Sequence, residues 1–592
     1  MKTALDEGRP AVITLTQGKA DARGSFTIDG GNAVTFDGKI VLPDDAKRID
    51  ISLAEHAGDG SAASGERRRE ASVHDRTDPA IARHGFFHNE TTDTADMLPD
   101  PALFASDVPR PIWDGHDDAV RCFAHCFEVT GRDYLRAPAP GSGFTRNFVY
   151  TPFGSHVFLW GTGFITMYGR YASHIFPFAS MLDNFYEQQH RDGWFGSSYS
   201  IIDGSTREKS NLCGRGYNMT AWAEWRNWEW SGDKARVERI YPVLLAYHRW
   251  ARDNRTWKDG SYFSTGLGCG MDNVVRFDTS KYHLYSHHGF LSWVDVTLQS
   301  VMDARFLVRM ARLIGTDEGV AELAEEAERL ARYANERMWD PEAGIYRDLG
   351  RDGLRTPYAH AGTFWALLAG VASEDPARVD ALARAAFDQS RFAGACGICS
   401  TSKDSPGGFR ADGGNYWQGG SWCLLDSMAA KGFEAAGRPD VAHRVARRAV
   451  EGVAKVFDET GYVWESYHPM RTAPGCMSKG EREQVRRFVG FSGTVPVMLL
   501  VENVLGVRVG RDEATGERSV LWDVRLLERH GMENLVLADG TRLSLLCEAR
   551  KSQDEKPRLT MTATHPTRVK VVWQGGERLV EVGRHVSMKQ PL

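Results

Sequence analysis

The sequence predicts a mainly α chain: a double-layered helical barrel of six hairpins, with a β-rich N-terminal region before it and a C-terminal β-sandwich-like domain after it. Three observations point there. Helical periodicity with regular stop signals runs from about residue 113 to 507. Period-two alternation marks stretches before residue 110, and it returns after 508. A chain of 592 residues also exceeds one ordinary domain. The boundaries are therefore placed at 1–110, 111–507 and 508–592.

In the first region, Ala11-Val12-Ile13-Thr14-Leu15-Thr16 and Ile49-Asp50-Ile51-Ser52-Leu53 alternate as strands do. Asp29-Gly30-Gly31-Asn32 carries turn chemistry, and the Gly-, Ser- and charge-rich stretch from 58 to 79 reads as a loop or linker. In the middle region, Met302, Phe306, Met310 and Leu313 share one helix face, and Gly315 stops that helix. Asp317 is the expected cap of the next, whose period runs through Val320, Leu323, Ala327, Leu330 and Ala334. About twelve helices follow this pattern, near 113–130, 156–170, 173–188, 218–231, 234–255, 285–314, 317–338, 358–372, 376–389, 421–436, 438–457 and 490–505. Paired side by side, they form hairpins that can close on themselves and leave a loop-lined cavity at one end. In the last region, residues 542–548 and 568–573 alternate, and Asp539-Gly540 and Gly575-Gly576 supply turns.

Composition narrows the function classes. A formal net charge of −6 with interleaved signs provides no nucleic-acid groove, and the basic run Glu66-Arg67-Arg68-Arg69-Glu70 is flanked by acids. No segment is apolar enough to predict a membrane span, and the first residues lack a signal core. The nine cysteines are scattered. Cys396 and Cys399 have half-site spacing, but no second pair completes a metal site, so no metal and no cofactor is expected. This cysteine usage fits a reducing, cytoplasmic setting. The 17 tryptophans are numerous, and many stand beside glycine or charge rather than in apolar runs.

Two short acidic loops occupy the longest gaps between predicted helices. One is Gly268-Cys269-Gly270-Met271-Asp272-Asn273, closed by Arg276; the other is Trp464-Glu465-Ser466-Tyr467-His468-Pro469. Between them lies Asn415-Tyr416-Trp417-Gln418-Gly419-Gly420-Ser421-Trp422. Long loops inside a compact domain are usually functional. Two carboxylates among aromatic and amide side chains are what glycosidic cleavage requires: one protonates the leaving oxygen and the other activates water. Gly266, Gly268 and Gly270 permit a tight approach to a ligand, although Asp272 could equally cap a turn. Trp160, Trp194, Trp417 and Trp422 are candidate sugar platforms, since an indole covers the apolar face of a pyranose. Asn273, Arg276 and Gln418 are candidates for hydroxyl contacts or for holding Asp272, with a surface ion pair as the other reading of Arg276. Tyr467 and His468 either orient Glu465 or form an exposed pair. Tyr416 completes the candidate substrate contacts.

Gly270-Met271-Asp272-Asn273 with Arg276 resembles the acid-bearing motif of glycoside hydrolase family 63, a family similar to trehalases and to mannosylglycerate and glucosylglycerate hydrolases. Tyr416-Trp417-Gln418-Gly419 resembles its Tyr-Trp-Arg-Gly segment, and residues 464–469 resemble its Glu-x-Tyr-x-Pro base segment. Phe491-Ser492-Gly493, and Met338-Trp339-Asp340 with Gly344 and Tyr346, resemble two further family elements. The likeness spans roughly 150 to 505, in order. It implies an (α/α)6 barrel and an inverting mechanism on an α-linked sugar, with Asp272 as general acid, Glu465 as general base and glucose as the default sugar.

The departures fall beside the acids rather than on them. Trp160-Gly161-Thr162 stands where relatives carry Trp-Asp-Thr, Gln418 replaces an arginine, Val274 and Val275 replace a Ser-Pro pair, and Gly214-Arg215-Gly216-Tyr217-Asn218 stands near an expected Gln-Pro-Pro. A retained reaction with an altered substrate is the expectation. The competing readings are a phosphorylase on the same barrel, a sugar isomerase or lyase, and a non-catalytic carbohydrate-binding protein. The oligomeric state is not encoded in any feature of the sequence.

Overall fold

The computed structural model describes residues 11–16, 19–22, 49–53, 98–206, 219–477, 483–583 and 586–588. The chain divides into two compact units. The smaller comprises Met1–Ile81 with Glu208–Leu212, and the larger holds the remainder. In the smaller unit, Ala11–Thr16 is the centre of a three-stranded antiparallel sheet, between Lys19–Ala22 and Ile49–Leu53, with Ile13 opposite both Ala22 and Ile51. Both strands expected here form. The expected turn at 29–32, the loop at 58–79 and the basic run lie outside the described residues, as does the stretch 214–218.

The larger unit is mostly helical. Some of its helices are buried on every side, and others show one apolar face. Every residue of Leu159–Gly169 is buried, and Thr220–Ser231, Val294–Ile314 and Cys423–Ala435 are nearly so. Val320–Tyr333 and Pro439–Thr460 each bury a single stripe: Leu323, Ala327 and Leu330 in the first, and Val441, Val445, Ala449 and Val453 in the second. A helix apolar all round belongs inside, and a striped one belongs outside. Among the described residues, the inner segments touch in cyclic order. Leu159–Gly169 meets Thr220–Ser231, which meets Val294–Ile314, then Trp365–Leu368, then Cys423–Ala435, then the segment 491–504, which returns to Leu159–Gly169. Outer helices back them: Lys234–Asn254 and Val320–Tyr333 lie on Val294–Ile314, and Pro439–Thr460 lies on Cys423–Ala435.

Several expected helices differ in detail. The span 173–188 breaks into a 3-10 turn, Phe178–Leu182, and a single turn, Asp183–Tyr186; 358–372 becomes Ala361–Phe364 and Trp365–Leu368. The helix expected from 285 starts at Val294, because 277–290 is a loop in which Phe290 adopts φ +56°. Asp317 does not cap its helix. Gly319, at φ +74°, takes that position, where an added Cβ would strike Leu245. Gly315 does end the preceding helix, at φ +80°.

The C-terminal strands build two sheets. One has the order Val507–Arg511, Arg518–Asp523, Thr567–Trp573, Gly576–Val582. The other runs Val586–Met588, Leu559–Ala563, Arg542–Cys547, His530–Val536 and Arg110–Trp113. That last strand comes from the opposite end of the unit, with Ile112 opposite Gly531. Leu543, Leu545, Cys547, Met561, Val569 and Val571 are buried at alternate positions, as a half-covered sheet requires. No helix among the described residues is long and apolar enough to cross a membrane.

Candidate active site

The acidic loop is built on a one-turn helix, Gly266–Cys269, whose cap Thr265 accepts a bond from the Gly268 N–H at 3.1 Å. Gly270 closes it at φ +85°. Two of its glycines are obligatory. A Cβ on Gly270 would fall within the Trp160 indole, and one on Gly266 would strike the carbonyls of Asp272 and Leu284. Asp272 is half-buried. Asn273 ties the loop to the central segment: its Nδ2 donates to Asn415 O at 3.0 Å, its Oδ1 accepts from Trp417 N at 2.9 Å, and its carbonyl accepts from Gln418 Nε2 at 3.1 Å. Gln418 is further engaged by Asn415 Nδ2 at 2.8 Å. Asn273 and Gln418 therefore join the two loops, and these bonds occupy the side-chain oxygens of both and one N–H of each amide.

Arg276 is also reassigned. It is 1 % exposed, stacks on Trp293 with its guanidinium 4.1 Å from the ring, and is ion-paired to Asp295 and, at 3.1 Å, to Asp348. It neither reaches a substrate nor forms a surface pair. Burial raises the Asp348 carboxyl, but Arg276 and His360 outweigh this and hold it at about 2. His360 Nε2 lies 3.1 Å from Asp348 Oδ2. Arg276 thus fastens the acidic loop to the start of the helix Val294–Ile314.

The base segment forms a short antiparallel pairing with 486–488: Glu465 N donates to Arg486 O at 2.9 Å, and Phe488 N to Val463 O at 2.8 Å. Glu465 is 0 % exposed. Its Oε1 accepts from the Tyr416 hydroxyl at 2.7 Å, and its Oε2 lies 3.5 Å from both the backbone N and Nη1 of Arg486. Burial raises the Glu465 carboxyl, while the Tyr416 hydrogen bond and Arg486 oppose the rise. Tyr467 and His468 are both buried. The Tyr467 hydroxyl accepts from Trp464 N at 3.3 Å, and His468 Nδ1 accepts from Met470 N at 3.0 Å. They shape the loop from within, so Tyr467 is not a substrate contact.

The central segment approaches in an unusual backbone state. Gly413, Gly414, Asn415 and Tyr416 have consecutive φ values of +88°, +84°, +36° and +69°. Left-handed backbone costs a residue with a Cβ roughly 1–2 kcal/mol. The turn is held by Tyr416 N to Cys476 O at 2.7 Å, by the Asn273 bonds and by the Tyr416–Glu465 bond. Burial, then the charges of Glu465 and Asp272, push the Tyr416 phenol well above its ordinary value. One ring thus feels both carboxylates.

The tryptophans form a stack rather than a set of platforms. Trp417 lies 3.6 Å from Trp422 at 4° and 6.4 Å from Trp160 at 18°, and it is 3 % exposed. One face of the Trp417 ring is covered by Trp422, which is itself 1 % exposed. Trp194 stands outside this stack, edge-on to His190 at 4.7 Å and 6.3 Å from Trp250. Cys396 and Cys399 are buried free thiols pushed up to about 12 by burial.

Two neighbours of the acids carry no signal in the sequence. Tyr285 falls at the start of an expected helix, but it lies in the loop, where its carbonyl accepts from Leu267 N at 3.0 Å. Its phenol is raised by burial and then by the Asp272 charge, and it meets the Asn273 side chain. Arg486 follows the base segment with no motif to mark it. Its proximity to Glu465 arises from the strand pairing.

Glu465, buried and hydrogen-bonded to the Tyr416 phenol, and Asp272, half-buried on a glycine-built loop that Asn273 ties to the Tyr416 segment, are the two carboxylates of this region. The profile of the Mannosylglycerate hydrolase MGH1-like glycoside hydrolase domain matches residues 158–483, and the chain belongs to that family of glycoside hydrolases. It is similar to an uncharacterized protein of Borreliella burgdorferi, 22% identical over 392 residues, covering 65% of this chain and 77% of that one. It is also similar to a protein of Saccharomyces cerevisiae described as a probable trehalase, 29% identical over 161 residues. There the match covers 26% of this chain and 20% of the relative's length. Among solved structures, an uncharacterized conserved protein from Thermus thermophilus shares the fold, with a TM-score of 0.50 and 20% identity over 64% of this chain and 99% of that one.

Proposed function

We propose that this glycoside hydrolase is an inverting α-glycosidase acting on a small α-linked glycoside or oligosaccharide, α-glucosidic by default, with Asp272 as general acid and Glu465 as general base. The observation that carries this reading is Tyr416. Its hydroxyl is bonded to Glu465, and Asn273, the neighbour of Asp272, is bonded to the residues on either side of it, which supports acids from distant loops serving one place. Inversion requires carboxyl groups about 6.5–9.5 Å apart, with water between the base and the sugar. The cyclic contact order of the inner helices supports an (α/α)6 barrel, and the site is then its loop-lined mouth. The boundaries 111–507 and 508–592 for the barrel and the C-terminal β domain belong to the same proposal. Of the candidate sugar contacts, Tyr416 is bonded to Glu465, and Trp160 lies against Gly270 of the acidic loop.

In this mechanism, Asp272 protonates the departing glycosidic oxygen while Glu465 removes a proton from water attacking the opposite face of the sugar. Burial of Glu465 raises its basicity, which suits a base working near neutrality. The test is a panel of α-linked disaccharides and aryl α-glycosides, with NMR of the first-formed anomer. A β product is expected, and a retained α product overturns the mechanism. Glu465→Gln should lower turnover by roughly 10²–10⁴-fold without unfolding the protein.

A further inference from the structure

Arg486 belongs to the pairing that carries the base, and alternation along that pairing sorts its neighbours. Arg487 turns outward and lies over Tyr462 at 3.7 Å and Trp464 at 5.7 Å. Phe488 turns the other way, into a ring cluster with Phe153 at 5.0 Å and Phe491 at 4.7 Å. Arg486 reaches Glu465 with both its backbone N–H and its guanidinium, and the guanidinium also rests over Phe153 at 5.2 Å. Its side chain is 41 % exposed, so it bridges the buried carboxylate and the solvent-facing rim. The other arginine of the site, Arg276, is spent on Asp295 and Asp348, and position 418 carries glutamine.

We propose that Arg486 is a positioning residue for the base: together with Tyr416 it grips the two oxygens of Glu465 from opposite sides, fixing the carboxylate's orientation and keeping it ionised in a buried setting. This rests on the assignment of Glu465 as general base. The groups facing that carboxylate are the Tyr416 phenol from the left-handed turn, the Arg486 N–H and guanidinium from the paired segment, and, across Tyr416, Asp272 from the acidic loop. A buried carboxylate tends to hold its proton. A cation on its outer oxygen offsets that tendency, and its partial exposure lets water approach between the two. Burial is the leading cause of the rise in the Glu465 carboxyl, and Arg486 opposes it both by charge and by hydrogen bonding.

The test is the pH dependence of kcat/KM for the full chain, Arg486→Gln and Arg486→Lys, on a substrate cleaved in the glycoside panel. Arg486→Gln should move the acid limb upward by about one pH unit, costing roughly tenfold below the limb and less than about threefold on the plateau. Arg486→Lys, which keeps the charge but not the planar fork, should move it by less. A uniform fall with an unmoved limb would mean that Arg486 binds substrate or merely supports the fold, and would overturn the proposal. If Arg486→Gln does not fold, Arg486→Met, which also removes the charge, decides: an unmoved limb overturns the proposal. Failure of the underlying assignment looks different, because Glu465→Gln would then retain near-normal turnover whatever the Arg486 variants do.

Discussion

Tyr416→Phe removes one oxygen from the centre of the site, and its consequence can be followed without knowing the sugar. The hydroxyl donates to Glu465 Oε1 at 2.7 Å, inside a site where the carboxylate has no exposed surface. A hydrogen bond to a charged group contributes about 1.5–3 kcal/mol. Losing it, at about 2 kcal/mol, raises the carboxyl further. The sign follows from linkage. Glu465 already sits above its ordinary value because of burial, so the fold favours its protonated form. That contribution is present below the unfolded value and is lost as pH rises through the folded one. The variant strengthens the preference, so its penalty is full when Glu465 is ionised and fades on acidification. Thermal unfolding should therefore show Tyr416→Phe lower by about 2 °C at pH 8 and by under about 1 °C at pH 4. In a Glu465→Gln background the pH-dependent part should vanish, since no titrating partner remains. An equal penalty at both pH values, or one that survives in that background, would refute the argument that Tyr416 acts on the carboxylate.

Three other outcomes are expected. Asp272→Asn should lose roughly 10²–10⁴-fold on alkyl glycosides yet keep most activity on the corresponding glycosyl fluoride, whose leaving group needs little protonation; equal loss on both removes Asp272 as the acid. Gly270→Ala should displace the Trp160 ring and strain the loop, lowering stability by about 2 kcal/mol or more and turnover along with it, as read by denaturant melts and assays. Arg276→Met should cost about 3–5 kcal/mol at neutral pH, because Asp295 and Asp348 are left buried without their cation. Adding Asp348→Asn should recover part of that loss, and no recovery would remove the ion pair as the cause.

Much of this architecture is legible because it follows local rules. Leu323, Ala327 and Leu330 keep the helical period and are buried together, and the strand Arg542–Cys547 alternates as its sequence does. Both acidic loops announce themselves by the gaps they fill, and the first also by its glycines. What the sequence conceals is decided by partners elsewhere in the chain. Residues 173–188 are apolar enough for a helix, but the chain breaks there into two single turns. Trp417 reads as a platform until Trp422 covers one of its faces, and Arg276 reads as a hydroxyl contact, a support for Asp272 or a surface pair until Asp295 and Asp348 enclose it. The left-handed stretch 413–416 is half concealed: two glycines and an asparagine permit it, but nothing local predicts that a tyrosine continues it.

The strand Arg110–Trp113 carries a consequence for how the protein is made. It completes a sheet whose other members begin only at His530, so during synthesis its edge waits unpaired while the whole helical region emerges from the ribosome. An exposed edge is a template for wrong partners. A chain stopped after 507 would keep both acids yet leave that edge permanently bare, so its fate in the cell would be governed by aggregation rather than by its chemistry.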